Sequence, residues 1–180
     1  MNPGITVAIP SIPSRRHLLL EAIASVDAQT VQPATILVRV DDPGDGFGFA
    51  HLAHQRNALL RAVETEWVAT LDDDDLLDPD YLATMGAQLD GVDVAYGQCR
   101  GREHTRSSTF DPDLLARENY ICGVAVVRTS MALRVGGWPE DGTAEDWGMW
   151  KRIHAAGGRF SCVDRELWSH RRVTDVRTIT

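Results

Sequence analysis

Asp72-Asp73-Asp74-Asp75 is the stretch of this chain whose residue types most plainly call for chemistry. Four adjacent carboxylates repel one another, and a bound divalent cation offsets that repulsion. Mg²⁺ and Mn²⁺ prefer carboxylate oxygen. Were the chain to stay extended for one step, Asp72 and Asp74 would point the same way, since side chains alternate along a strand. Mg²⁺ is commonly held by one or two carboxylates together with substrate phosphates. The run therefore suits a ligand carrying a diphosphate. The plain alternative is a solvated loop that caps the next helix. Asp78-Pro79 reads as that cap, an Asp before a Pro at the first helical position, and it leaves the run unexplained.

The elements around the run must place it. Ile5–Ile9 is β-branched and apolar and reads as a buried strand stopped by Pro10. Ser14 reads as the N-cap of a helix over Arg15–Ala28, with Leu18, Leu19, Ala22, Ile23 and Val26 at helical spacing. Thr35–Val40 is a second strand ending on Asp41-Asp42, and Pro43–Gly48 is a turn-rich loop. Leu52–Val63 reads as a helix, Trp67–Leu71 as a third strand, and a third helix starts at Asp78. Strand and helix thus alternate through the first ninety residues. That predicts an α/β fold, with a mostly parallel sheet, right-handed crossovers and helices on both faces. In such sheets ligands bind outside the carboxyl ends of the strands, where the acidic residues fall.

The second half is less regular. Val92–Tyr96 and Ile121–Val127 read as strands, Asp111-Pro112 as the start of a short helix, and Glu145–Ala156 as a helix ended by Gly157-Gly158. Arg159–Val163 and Glu166–Trp168 are two further short strands. There is no repeat and no linker, so 1–180 reads as a single domain.

Composition narrows the function classes. The chain has 180 residues, 43% hydrophobic, with 26 Asp plus Glu against 18 Lys plus Arg, a net charge of −8. That disfavours a nonspecific nucleic-acid binder. No apolar run approaches the ~20 residues that span a bilayer. Cys99, Cys122 and Cys162 form no C-x-x-C pair, so the reading is reduced thiols and a cytoplasmic location. Counted from Asp72, the sixth position of an EF-hand loop is Leu77 where Gly is needed. The loop after the first strand, Ser11–Arg15, has no Gly and is no dinucleotide fingerprint.

The motifs, taken in order, resemble those of the GT-A fold glycosyltransferases, specifically the inverting family 2. Ile5–Pro10 is similar to that family's opening strand, and Ala24–Thr30 to its "SV-x-x-Q-T" helix end. Val40-Asp41-Asp42 resembles "VDD", Arg56-Asn57 resembles "ARN" with Gln55 in place of Ala, and Leu71–Asp75 resembles the "LD-x-DD" metal motif. Gly136–Glu140 followed by Glu145-Asp146-Trp147 resembles "GGF-x-E … ED-W".

The resemblance implies a metal-dependent enzyme that moves a sugar from a UDP- or GDP-sugar to an acceptor hydroxyl, with Mn²⁺ or Mg²⁺ as cofactor. Residues 1–90 would bind the nucleotide sugar; residues 91–180 would hold the acceptor and the base. Asp41 would bind the nucleobase, although Asp41 and Asp42 also suit a plain turn before Pro43. Asp72 would contact the ribose and Asp74 the cation. His170 would be a further metal ligand or, alternatively, a surface histidine. Pro10, Arg15, Arg56, Asp73 and Arg171 complete the nucleotide-sugar side, and Arg172 is a second candidate for the diphosphate.

Asp146, beside Glu145, would be the general base, because direct displacement needs the acceptor hydroxyl deprotonated as it attacks. The alternative is that both acids only favour a helix N-terminus. Trp138 and Trp147 would line an acceptor pocket or belong to the core. The acceptor is open among a glycan, a lipid-linked sugar, a protein side chain and a modified nucleic-acid base. Two rival classes remain. One is a sugar-1-phosphate nucleotidyltransferase, against which the Gly-free first loop counts. The other is a non-catalytic module that binds carbohydrate or nucleotide through a cation.

Overall fold

The computed structural model describes residues 4–44, 48–100 and 109–171. Arg172 lies outside these residues. The elements are β1 (Ile5–Ser11), α1 (Arg16–Asp27), β2 (Thr35–Val40), α2 (Phe49–Ala62), β3 (Trp67–Thr70), β4 (Asp75–Leu77), α3 (Tyr81–Gly86), β5 (Val94–Arg100), α4 (Pro112–Arg117), β6 (Ala125–Arg128), α5 (Thr129–Arg134), α6 (Glu145–Ala155) and β7 (Phe160–His170). The sheet has the order β2-β1-β3-β6-β5-β7-β4. β1 pairs in parallel with β2 and β3, and β5 pairs in parallel with β7. β6 and β4 run against their neighbours. Most strands therefore point one way, and helices cover both faces.

The strand period of two sorts side chains between the faces. Ile5, Val7, Ile9, Trp67, Ala69, Ala95 and Val126 pack with α1 and α3. Ala8, Val68, Val94, Tyr96, Ala125 and Val127 pack with α2, α4, α5 and α6. Two buried layers thus fix the strands whose ends carry the acidic residues.

Local differences from the expected elements have physical reasons. β1 runs through Pro10 to Ser11. Beyond Ala8 it pairs only with β2, so the missing N–H of Pro10 costs little there. Ser14 caps nothing; it lies in a 3₁₀ turn, Pro13–Arg15, ahead of α1. Asp78 does not cap α3, which starts later with Asp80 at its N-cap. Its carboxylate instead accepts from Arg100 at 2.6 Å. The two short strands expected near the end are one strand, β7, whose register against β5 shifts around Gln98.

Candidate active site

The acidic run is a turn, not an extended step. The Asp75 N–H donates to the Asp72 carbonyl at 3.1 Å, closing a turn between β3 and β4. The turn gives each of the four carboxylates a partner outside the run, Asp73 and Asp74 sharing Arg15, and this is how the chain tolerates them side by side. Asp72 accepts from Arg56 Nη2 at 2.5 Å. Buried Asp73 accepts from Ser11 Oγ at 2.7 Å and Arg15 Nη1 at 3.0 Å. Asp74 faces the same Arg15 nitrogen at 3.3 Å. Asp75 meets His170 Nδ1 at 2.9 Å, because β4 pairs with β7 in a register that sets the two residues opposite each other. Burial pushes the Asp73 carboxyl up to about 6, against the pull of Ser11 and Arg15. Burial pushes Asp75 up to about 7, against the His170 hydrogen bond.

Asp74, Asp75 and His170 bring three ligand atoms within 4.8 Å of one another. Two carboxylate oxygens and an imidazole nitrogen are a donor set suited to Mn²⁺ or Mg²⁺. Asp75 was not among the residues expected to hold the cation. Only the pairing of β4 with β7 brings it to His170, and no local motif encodes that pairing.

Arg56 links the acidic turn to the second acid pair. It sits on α2 and is almost wholly buried, its side chain 2% exposed. One nitrogen reaches both Glu145 and Asp146 at 2.5 Å, and the other reaches Asp72. Burial disfavours the guanidinium charge, but Asp146, Asp72 and Glu145 outweigh it and hold its pKa above the ordinary value. Asp146 is pushed up to about 7, first by burial and then by Glu145 and Asp72, while Arg56 pulls it down. Gly123 leaves the room this cluster needs: a Cβ there would lie 2.7 Å from Asp146 Oδ2 and 2.9 Å from Arg56 Nη2.

The residues beside Arg56 fasten the surrounding pieces. Gln55 donates to the Ser11 carbonyl at 2.7 Å and so ties α2 to the end of β1. Asn57 Nδ2 donates to the Trp138 carbonyl and to Glu140, each at 2.8 Å, and the Trp138 N–H donates to Asn57 Oδ1 at 2.8 Å. Gly137 takes φ +69°, and a Cβ there would lie 2.1 Å from Asn57 Oδ1, so this loop accepts only glycine at that point. Three consecutive helical side chains thus hold three parts of the site.

One cavity of about 260 Å³ collects Pro10, Ser11, Arg15, Asp72, Asp73, Asp74, Glu145, Asp146 and His170, with Phe49, Leu52 and Gln55 on its wall. Of the residues expected from sequence, Asp41 is not among those that line this cavity, although it bonds to Ser11, which does. Its N–H donates to the Ser11 carbonyl at 3.2 Å, and its carboxylate accepts from Arg39 at 2.5 Å. Asp42 accepts the Gly44 N–H and serves the turn.

Arg171, expected on the nucleotide-sugar side, instead spends its guanidinium on the Leu18, Asp73 and Asp74 carbonyls and on Glu21. It clamps the acidic turn from behind. Trp147, expected either in an acceptor pocket or in the core, donates to the Leu115 carbonyl at 2.6 Å and carries Lys151 over its ring. That makes it part of the α4–α6 packing. Trp138 is buried, with Arg56 6.0 Å from its ring centre. Ser11, Phe49 and Leu52 line the cavity without having been singled out in the sequence, and Gln55 was noted there only as a departure from a motif. For Ser11 the available signal was its place after a buried strand whose end faces the acidic run.

Residues 47–123 match the family described as Glycosyl transferase family 2. No curated protein matches the chain. Among solved structures, the 1–349 fragment of S. aureus TarS aligns at TM-score 0.73 and 16% identity, over 93% of this chain and 60% of that one. A Pyrobaculum calidifontis mannosyltransferase, in complex with GDP-Man and Mn²⁺, aligns at TM-score 0.71 and 17% identity, over 97% of this chain and 59% of that one. The Mycobacterium tuberculosis glucosyl-3-phosphoglycerate synthase, in complex with Mn²⁺, UDP and phosphoglyceric acid, aligns at TM-score 0.67 and 14% identity, over 94% of this chain and 71% of that one. The chain spans about 60% of the length of the TarS fragment. These alignments show the fold, which is GT-A. No helix among the described residues is long and apolar enough to cross a membrane.

Proposed function

From a GT-A fold with a family 2 segment at residues 47–123, we propose that the protein is an inverting, metal-dependent glycosyltransferase that uses a nucleotide-diphosphate sugar. The observation that carries this reading is the single cavity in which the acidic turn faces Asp146, joined by Arg56. The mannosyltransferase and synthase complexes hold GDP-Man or UDP with Mn²⁺, which supports a UDP- or GDP-sugar donor here. Residues 1–90 would form the donor side and residues 91–180 the side of acceptor and base, with His170 reaching back to the cation group.

Asp74, Asp75 and His170 would hold a divalent cation. Bound there, it supplies positive charge for the leaving diphosphate. Asp72 meets the donor's ribose, and Asp41 its base. Asp146 takes the proton of the acceptor hydroxyl. The acceptor oxygen then forms its bond to the anomeric carbon as the bond to the diphosphate oxygen breaks, and that bonding pair leaves with the diphosphate. The raised pKa of Asp146 makes it a stronger base than an ordinary carboxylate while leaving it ionised above neutrality.

The test uses the slow hydrolysis of UDP- and GDP-sugars in Mn²⁺, with water as acceptor. Asp146→Asn lowers turnover by about 10²–10⁴-fold while nucleoside diphosphate affinity stays near wild type. Wild-type turnover in that variant overturns the base assignment. Failure of every nucleoside diphosphate to raise the wild-type melting temperature with Mn²⁺ overturns the whole reading.

A further inference from the structure

Arg15 occupies the place where charge must change when ligand arrives. It ends the 3₁₀ turn after β1 and lines the cavity. Its Nη1 lies 3.0 Å from Asp73 and 3.3 Å from Asp74, one of the three residues grouped for a cation. The guanidinium is thus a positive charge already seated on a carboxylate that a metal would use. Asp73 does not depend on it alone, since Ser11 Oγ also donates to that carboxylate at 2.7 Å. Among the described residues, Asp74 has no such second side-chain donor.

The contrast with Arg56 sharpens the point. Arg56 is sealed, 2% exposed, with three carboxylates at 2.5 Å. Arg15 is 11% exposed, its contacts are longer, and it stands at the cavity wall. Guanidinium pairs well with the oxygens of a diphosphate. A cation that arrives alone at Asp74 meets a like charge already there. A cation that arrives with a diphosphate offers Arg15 new anionic partners in exchange.

We infer that Arg15 is an internal counter-cation that competes with the divalent metal for Asp74 and moves to the donor's diphosphate when metal and nucleotide bind together. The inference rests on the proposed cation site and adds a binding rule to it. Metal alone binds weakly, and metal and diphosphate each strengthen the other. By linkage the two enhancements are equal.

The test titrates Mn²⁺ into the full chain and reads free Mn²⁺ by electron paramagnetic resonance, first alone and then with saturating UDP or GDP. Arg15→Gln and Arg15→Met remove the charge, and Arg15→Lys keeps it. Either charge-deleting variant binds Mn²⁺ alone about tenfold more tightly than wild type, and the enhancement by nucleotide shrinks by about the same factor. Arg15→Lys stays within about threefold of wild type for Mn²⁺ alone. A charge-deleting variant with the wild-type circular dichroism spectrum that binds Mn²⁺ alone no more tightly overturns the inference. So does unfolding of both, which makes the guanidinium a structural element. Wild type that binds Mn²⁺ neither alone nor with nucleotide fails the proposed function instead, so the two failures are distinct.

Discussion

The site contains two groups of carboxylates, each with one arginine, and the two are built differently. At the acidic turn, Arg15 makes unequal contacts to Asp73 and Asp74 from the cavity wall. In the other group, Arg56 holds Asp72, Glu145 and Asp146 at equal short distances in a buried position. A buried guanidinium with three carboxylates is expensive to desolvate and far more expensive to break, because removing it leaves like charges facing one another. The first group is arranged to exchange its counter-charge; the second is arranged to keep it. Arg56 is therefore a strut between the acidic turn and the Glu145–Asp146 pair. Through it, the carboxylate next to the metal group and the proposed base share one rigid frame.

The largest effect should come from removing the strut. Arg56→Met should cost about 3–5 kcal/mol of folding stability, because three carboxylates lose their shared partner. Urea unfolding at pH 7 measures it. A loss no greater than that of Arg15→Met would erase the distinction between the two groups.

A smaller change tests the space around the strut while leaving its charges intact. Gly123→Ala places a methyl within 3 Å of both Asp146 and Arg56, so one of them must shift. The expected cost is about 1–3 kcal/mol, in line with overpacking a tight site. Donor hydrolysis should fall more than nucleotide affinity, since the methyl meets the proposed base Asp146 most closely and the acidic turn not at all. Equal loss in both would mean that the strain spreads to the donor side.

The first ninety residues were largely legible in the sequence, and the second half much less so. β2, α2 and β3 were set by local apolar periodicity and turn residues, and their predicted positions differ from the observed ones by a few residues at most. The acidic run stood out because nothing local satisfied it. Its geometry was not legible. The expected extended step is a turn, because each carboxylate finds a partner far along the chain: Arg56, Ser11, Arg15 or His170. Asp75 joins the metal group only through the β4–β7 ladder, a pairing of segments about ninety residues apart that no short window contains. Arg171 and Trp147 show the opposite case. Their residue types suit ligand contacts, but backbone carbonyls of Leu18, Asp73 and Leu115 claim them first. Such claims are invisible until the chain is folded.

The finest distinction between the two groups is their response to pH. Asp146 sits up to about 7 because burial opposes its charge, beyond what Arg56 recovers. Its folded pKa lies above the unfolded value of ~3.9, so the folded state holds the proton more firmly. Asp146 therefore adds stability at low pH that is lost as pH rises through about 7. Its slope cannot exceed ~1.4 kcal/mol per pH unit for one proton. Asp73 and Asp75 are raised as well and contribute slopes of the same sign. Wild type alone cannot separate these terms, but the difference between wild type and Asp146→Asn can. Urea unfolding from pH 4.5 to 8 should show wild type losing stability relative to that variant as pH rises, with the change levelling off above pH 7. Over the same range, wild-type donor hydrolysis should climb about tenfold per unit below neutrality and then flatten, since the base works only when ionised. A stability difference that stays constant with pH would place the Asp146 carboxyl in the ordinary range. Of Glu145 and Asp146, only Glu145, raised by burial, would then be perturbed, and the strut would have no effect on the proposed base beyond its position.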